Sequence, residues 1–347
     1  MARRELPIPP HYDPATVGEV WQVPYQVRAR EAEQWAKRYK LPPAAADRYK
    51  ICLVVVDVQN TFCIPAFELF VAGRSGTGAV DDNRRLCEFI YRNLGLITRV
   101  SPTMDTHQAV QIFHTVFWVN ERGEHPEPYT LISEDDVATG RWKFNPALGL
   151  SLGIGERYAR QYLLHYTRTL RAGGKYELTI WPFHVMLGSI GHALVPAVDE
   201  AIFFHSIARY SQPNFRVKGD NPFTEHYSVL GPEVMEDQNR KVIAAKDVQF
   251  IDELLKFDAV IIAGQAKSHC VAWTIADLLE GIHGRDQKLA ENVYLLEDCT
   301  SAVVIPGVMD YTADANAAFQ RFADAGMHIV RSTEPLNRWP GITHPEL

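Results

Sequence analysis

The sequence has no apolar run long enough to cross a bilayer. Its longest strongly apolar stretch is Ile51 to Val56, against the roughly 20 residues that a spanning helix needs. It also has no basic excess: 35 Lys and Arg face 42 Asp and Glu, a formal net charge of −7. That argues against the basic face on which non-specific nucleic-acid binding depends. Cysteine is scarce. The five, Cys52, Cys63, Cys87, Cys270 and Cys299, are odd in number and widely spaced, with no CxxC. This fits reduced thiols in a cytoplasm better than a disulfide framework or a structural zinc site. The start, Met1-Ala2-Arg3-Arg4-Glu5-Leu6-Pro7, has two arginines but no apolar stretch after them, so it does not read as a secretory signal. Internal repeats and low-complexity segments are lacking too. What is there is a 347-residue chain, 46% hydrophobic and 22% charged. It is long enough for one large α/β domain with additions, or for two domains.

The most informative stretch is Phe257 to Ile282. Ala259-Val260-Ile261-Ile262-Ala263 reads as a buried strand and breaks at Gly264. A short turn, Gln265 to His269, leads to Cys270. Val271, Thr274, Ile275, Leu278, Leu279 and Ile282 then recur at the spacing of a helix's buried face. A cysteine at a helix start meets unpaired N–H groups and partial positive charge, which favour thiolate over thiol. A cysteine in such an elbow is otherwise a small buried hydrophobe.

Elsewhere, Ile51 to Asp57 is an unbroken apolar strand ending in a carboxylate, the pattern of a central strand covered on both faces. Asp82 to Leu94 reads as a helix and Leu96 to Thr103 as a second strand, ending at Asp105. Ala201 to Ile207 reads as another strand and Val248 to Phe257 as a helix. Asn292 to Leu296 and Met327 to Val330 are late strands, separated by a helix from Asp310 to Ala325. Alternating strands and helices predict a doubly wound, three-layer α/β/α fold with a mostly parallel sheet. Residues 1–48 read as an N-terminal extension, irregular and proline-rich, then helical from Val27 to Lys40. Residues 49–335 form the expected main domain, with an insertion of about 121–177 that holds a helix from Gly153 to Leu170. Residues 336–347 form a tail.

Polar residues collect at strand ends. Asp57 ends the first strand, and a buried charge there needs a partner. Its alternatives are a cap on the following turn or a phosphoryl-accepting aspartate, although the usual DxD is absent. Asp105-Thr106-His107 puts an oxygen and an imidazole on one side of an extended segment, with His114 seven residues on. Trp181-Pro182-Phe183-His184 offers a further histidine, which could complete a metal site with open positions or be there by chance. Lys218 ends an apparent strand before Gly219 and can reach inward, though most lysines are solvated. In a doubly wound sheet such strand-end loops converge on one crevice.

Taken together and in order, Val56-Asp57-Val58-Gln59-Asn60-Thr61-Phe62, Asp105-Thr106-His107, Trp181-Pro182-Phe183-His184, Val217-Lys218-Gly219 and Gly264-Gln265-Ala266-Lys267-Ser268-His269-Cys270-Val271 resemble the isochorismatase-like cysteine hydrolases, and among them the nicotinamidases most. The resemblance spans residues 51 to 331. It implies a six-stranded parallel sheet between helices and a catalytic Asp57, Lys218 and Cys270. It implies oxyanion donors at Ala266 and Cys270, and a cis peptide at Gln265–Ala266. It implies a divalent metal, zinc, iron or manganese, held by Asp105, His107 and His184. It also implies a small amide substrate, as in nicotinamide hydrolysis. Phe62, Trp181 and Trp118 are the aromatic candidates for stacking on a flat ring. Partners are then a small molecule and, as an option, further copies of the chain; nucleic acid and membrane are not expected.

Three features depart from the family's pattern. Val185 stands where a cysteine is common. His114 lies one residue further from His107 than is typical, so it is a candidate fourth ligand off the usual spacing. Residues 1–48 and about 121–177 have no counterpart in compact members, and the latter could reshape the pocket. The rival functions are hydrolysis of another small amide or ureide, an isochorismatase proper, a catalytically silent binding member and a phosphoaspartate switch.

Overall fold

Ile51–Val56 forms a strand, β1, in which every residue is buried. Ile51, Leu53 and Val55 join one apolar cluster, whereas Cys52, Val54 and Val56 join a second. Successive side chains of a strand point to opposite faces, so β1 is covered on both, as its unbroken apolar run requires. The structure, a computed structural model, describes residues 5–342. The first four residues and the end of the tail, 343–347, lie outside the described residues.

Five more strands complete the sheet: β2 (Arg99–Asp105), β3 (Arg216–Lys218), β4 (Ala259–Gly264), β5 (Val293–Leu296) and β6 (His328–Val330). Their order is β6-β5-β4-β1-β2-β3, and every pairing is parallel. The chain leaves β1 toward β2 on one side and leaves β4 toward β5 on the other. The crevice outside the carboxyl ends of β1 and β4 is therefore the topological switch point, where open α/β sheets bind ligands. Asp57 follows β1 directly, and Cys270 comes six residues after β4 ends.

On one face lie α1 (Tyr25–Tyr39) and α2 (Gly78–Arg92). Within the expected insertion, α3 (Glu156–Ala172) buries Ala159, Tyr162, Leu163, Tyr166 and Leu170, the 3–4 spacing of one helical stripe. The helix α4 (Pro196–Arg209) packs against α1 and α2. The other face carries α5 (Val248–Leu254), α6 (Ala272–His283) and α7 (Thr312–Asp324).

One sequence expectation is overturned. Ala201 to Ile207 is not a strand but the interior of α4. The helix is buried around most of its circumference, including Ala201, Ile202, Phe204 and His205, so its apolar run has no polar stripe to reveal a helical period. Pro196 at its first turn, where the missing N–H costs nothing, marks the true start. The sixth strand is the short one ending at Lys218.

Gly264, the last residue of β4, has φ of +114°. A Cβ there would lie 2.1 Å from the Val56 carbonyl oxygen. Only glycine lets β4 approach β1 this closely while turning toward Cys270. Gly264→Ala is expected to lose about 2–4 kcal/mol of stability through clash and backbone strain. Chemical denaturation checks this, and a loss under about 0.5 kcal/mol would contradict the packing described.

Candidate active site

β2 and β3 pair with Asp105 opposite Lys218. This register sets the centre of the site. Lys218 Nζ lies 2.9 Å from Asp105 Oδ1 and 3.0 Å from Asp57 Oδ2. The Cys270 Sγ is 3.7 Å from the same nitrogen. All four side chains are buried. The structure thus brings together Asp57, Lys218 and Cys270, which lie far apart in sequence. Oxygens of Asp57 and Asp105 and the sulfur of Cys270 fall within 4.8 Å of one another, but the Lys218 ammonium holds them together, so no added cation is needed there.

Neighbouring residues fix this arrangement. Thr103 donates its hydroxyl to Asp57 Oδ1, and its oxygen accepts the Asp57 N–H at 3.0 Å. Asp57 itself has φ of +47°, a left-handed conformation that turns the chain at the strand end. Gln59 clamps β2: its side chain accepts the Asp105 N–H and donates to the Asp105 carbonyl, both at 2.8 Å.

The charges divide unevenly. Burial raises the Asp57 pKa, and the neighbouring Asp105 charge adds to this against Lys218. Burial also opposes ionisation of Asp105, yet His107 and Lys218 beside it hold its carboxyl well below the usual carboxylate range. Lys218 stays protonated, because its two carboxylates outweigh its burial. Burial pushes the Cys270 thiol up, with Lys218 opposing and Asp57 and Asp105 reinforcing. The thiolate expected from a helix start is therefore not the resting form. Cys270 sits in a π-helical turn, Lys267–Val271, ahead of α6, and two carboxylates counter the positive end of the helix. The sulfur rests as a thiol beside a base. The Gln265–Ala266 peptide is cis, as expected.

A second cluster adjoins Asp105. The ring nitrogens of His107, His114 and His184 can be brought within 4.8 Å of one another. His184 Nδ1 lies 2.7 Å from the Pro182 carbonyl oxygen, and His114 Nδ1 lies 3.2 Å from that of Ala109. Each Nδ1–H then donates to a backbone carbonyl and leaves Nε2 with its lone pair, the orientation typical of metal-ligating histidines. His114 Nε2 and both His107 nitrogens are buried without a hydrogen-bond partner. His107 Nε2 lies 3.2 Å from Asp105 Oδ1. Burial keeps His184 and His114 neutral, the latter lowered to about 4. Gly219, at φ of +92°, leaves the space open: a Cβ there would lie 2.5 Å from Asp105 Oδ1 and 3.1 Å from His107 Nε2. Val185, buried with φ of +43°, turns the chain after His184 and accepts the His107 N–H. These residues fit a divalent cation. His114 lies beside His107 and His184 despite its spacing.

A narrow pocket reaches Cys270. Its wall includes Phe62, Trp181, His184, Glu225, Tyr227 and His269. Phe62 meets His184 edge-on at 5.7 Å between ring centroids. Trp181 donates Nε1–H to the Tyr227 hydroxyl at 3.0 Å. Trp118 is a correction: it does not line the pocket. It is fully buried, donates to the Ile112 carbonyl and packs on Phe117. Three wall residues were not singled out from sequence: Glu225, Tyr227 and His269. Glu225 and Tyr227 follow β3 within ten residues, so the strand-end rule that found Lys218 could have found them. His269 precedes Cys270; its Nδ1 lies 2.8 Å from Ser268 Oγ, and burial lowers its pKa to about 3.

No family model matches the chain, and no curated protein is similar to it in sequence. Among solved structures it is similar to a nicotinamidase/pyrazinamidase from Acinetobacter baumanii, at 19% identity and a TM-score of 0.49, covering 83% of this chain and 98% of that one. It is similar to the yeast nicotinamidase bound to the inhibitor nicotinaldehyde, at 18% identity and a TM-score of 0.49, covering 81% and 99%. A third is N-carbamoylsarcosine amidase from Thermoplasma acidophilum, at 17% identity and a TM-score of 0.39, covering 83% and 99%. These likenesses are of fold.

Two outcomes test the site. Lys218→Met leaves two buried carboxylates uncompensated and is expected to cost about 3–5 kcal/mol in a denaturant titration; a neutral effect would show that the ammonium does not hold the cluster. Alanine at His107, His114 or His184 is expected to weaken zinc or manganese binding by at least about tenfold. Calorimetry on the folded variants reads this, and unchanged affinity for His114→Ala would remove it from the ligand set.

Proposed function

We propose that the protein is an isochorismatase-like cysteine amidohydrolase that cleaves a small carboxamide to acid and ammonia through a thioester. The observation that carries this is a single buried ammonium touching both a carboxylate base and the sulfur of Cys270 at the floor of a pocket. Nucleophile, base and orienting cation are the parts that thiol catalysis needs.

Asp57 takes the Cys270 proton as the sulfur attacks the amide carbonyl. Lys218 compensates the negative charge, which passes from carboxylate to sulfur to the carbonyl oxygen. The backbone N–H groups of Ala266 and Cys270 are assigned to that oxyanion, a role worth about 3 kcal/mol per donor. The C–N bond breaks, and Asp57 returns the proton to departing ammonia. Water then attacks the thioester. Asp57 accepts its proton, the S–C bond breaks, the acid leaves, and the proton returns to sulfur. A divalent ion held by His107, His114 and His184, with Asp105 adjoining, would supply Lewis acidity and lower the pKa of water beside it.

Nicotinamide to nicotinate is the reference reaction, with Phe62 and Trp181 in the pocket wall as the candidates to stack on its ring. The second reading, a small amide or ureide with its own N–H groups, is favoured by the carboxyl of Glu225 in the pocket wall. A non-catalytic binding role leaves the base–cation–thiol grouping without use.

Cys270→Ala is expected to keep its thermal transition and lose ammonia release from a panel of small amides, nicotinamide included, by at least about a thousandfold. Turnover retained in the folded variant would rule out covalent catalysis.

A further inference from the structure

Glu225 lies on the loop after β3 and lines the pocket with Cys270 and Trp181, yet it is only 5% exposed. Its Oε1 accepts the His226 N–H at 3.0 Å. Among the described residues no donor reaches Oε2, and no lysine, arginine or histidine forms an ion pair with this carboxyl. The contrast with Glu233 is informative. Glu233 is as deeply set, and its N–H donates to the Glu225 carbonyl at 2.8 Å. But Glu233 Oε2 has a cation, Lys175 Nζ, at 3.1 Å. A buried carboxyl with only one oxygen hydrogen-bonded is costly, and Glu225 is a residue of the pocket wall.

Its placement is enforced from α3. The Tyr166 hydroxyl accepts the Glu225 N–H at 3.0 Å, and Tyr162 donates its hydroxyl to the Phe223 carbonyl at 2.6 Å. Thr224 Oγ1 accepts the Val234 N–H at 3.1 Å. The insertion that carries α3 thus fixes this acidic residue in the wall.

We propose that Glu225 is the specificity-determining residue of the pocket: its unpartnered oxygen accepts an N–H of the substrate, selecting small amides that carry a second donor, an ammonium or a ureido group, over amides whose other polar atom is only an acceptor. This rests on the amidohydrolase reading. Burial, with the charge of Asp105 near by, pushes the Glu225 pKa up to about 8 against the His226 N–H and Lys218; a substrate N–H or ammonium favours the carboxylate, which gives up that proton on binding.

The test is calorimetric binding to the Cys270→Ala protein, which separates recognition from turnover. The probes are glycinamide, 2-ureidoacetamide and nicotinamide. Both donor-bearing amides are expected to bind at least about tenfold tighter than nicotinamide. Adding Glu225→Leu should remove that advantage for both, while Glu225→Gln, near-isosteric and neutral, should remove it for glycinamide. Nicotinamide should change less than about threefold in either variant. Tighter binding of nicotinamide, no binding of the donor-bearing amides, or equal losses for all three probes in the Glu225→Gln variant would each overturn the assignment. Ammonia release by the Cys270-intact protein is measured separately: if none of the probes is hydrolysed, the amidohydrolase reading fails, whatever the binding order.

Discussion

The site depends on one buried ammonium. Lys218 stands between two carboxylates and a thiol, all removed from water. Without it, Asp57 and Asp105 would face each other as like charges in a low-dielectric interior, and one would have to take up a proton. With it, the two carboxyls are held apart in character. Asp105, closest to the ammonium and to His107, remains ionised. Asp57, fully buried beside that charge, binds a proton more readily. In the mechanism we propose, that raised proton affinity suits Asp57 to exchange a proton with the thiol. The same cation touches both the Asp57 oxygen and the Cys270 sulfur.

The sheet delivers Lys218 by register. Asp105 and Lys218 are directly paired residues on adjacent parallel strands. Asp57 and Cys270 issue from β1 and β4, the two strands that flank the switch point. Gly264 and Gly219 are the places where backbone geometry is pressed to its limit, since a Cβ at either would collide with the strand or with the Asp105–His107 pair. Val185 shows the same pressure without the relief of glycine: a buried, β-branched residue at positive φ is uncommon, and here it sets the turn that presents His184. Rigid strands carry the reacting groups, and strained turns aim them.

Much of this was legible in the sequence because buried parallel strands have an unmistakable composition. Ile51–Val56 and Ala259–Gly264 are unbroken apolar runs, and the residues after them hold the chemistry. Motif order then linked Asp57, Lys218 and Cys270. The failures have physical causes. The buried helix α4 has apolar residues on most sides, so Ala201 to Ile207 carries the signature of a strand. Trp118 has the same composition signal as Trp181, but which aromatic faces a pocket and which fills the core is a tertiary fact. His114 departs by one residue from the expected spacing, and loop geometry absorbs that difference. The ionisation of Cys270 is set first by burial and then by Lys218 and the two carboxylates around it, none of which a local helix-start argument includes.

The segment that carries α3 is tied to the pocket without supplying the central cluster. The residues that perform the proposed chemistry arise from β1, β2, β3 and the π-helical turn, and none comes from α3. Yet α3 reaches the pocket indirectly, through two tyrosine hydroxyls bound to the backbone of the loop that bears Glu225. Tyr176, just beyond α3, adds a third tie by donating to the Ser268 carbonyl, two residues before Cys270, and its ring packs on His269. A segment attached this way can change without disturbing the Asp57–Lys218–Cys270 grouping, because it holds loop backbone rather than reacting atoms. Changes to these tyrosine ties should therefore move the Glu225 loop and the pocket wall before they disturb the Asp57–Lys218–Cys270 grouping.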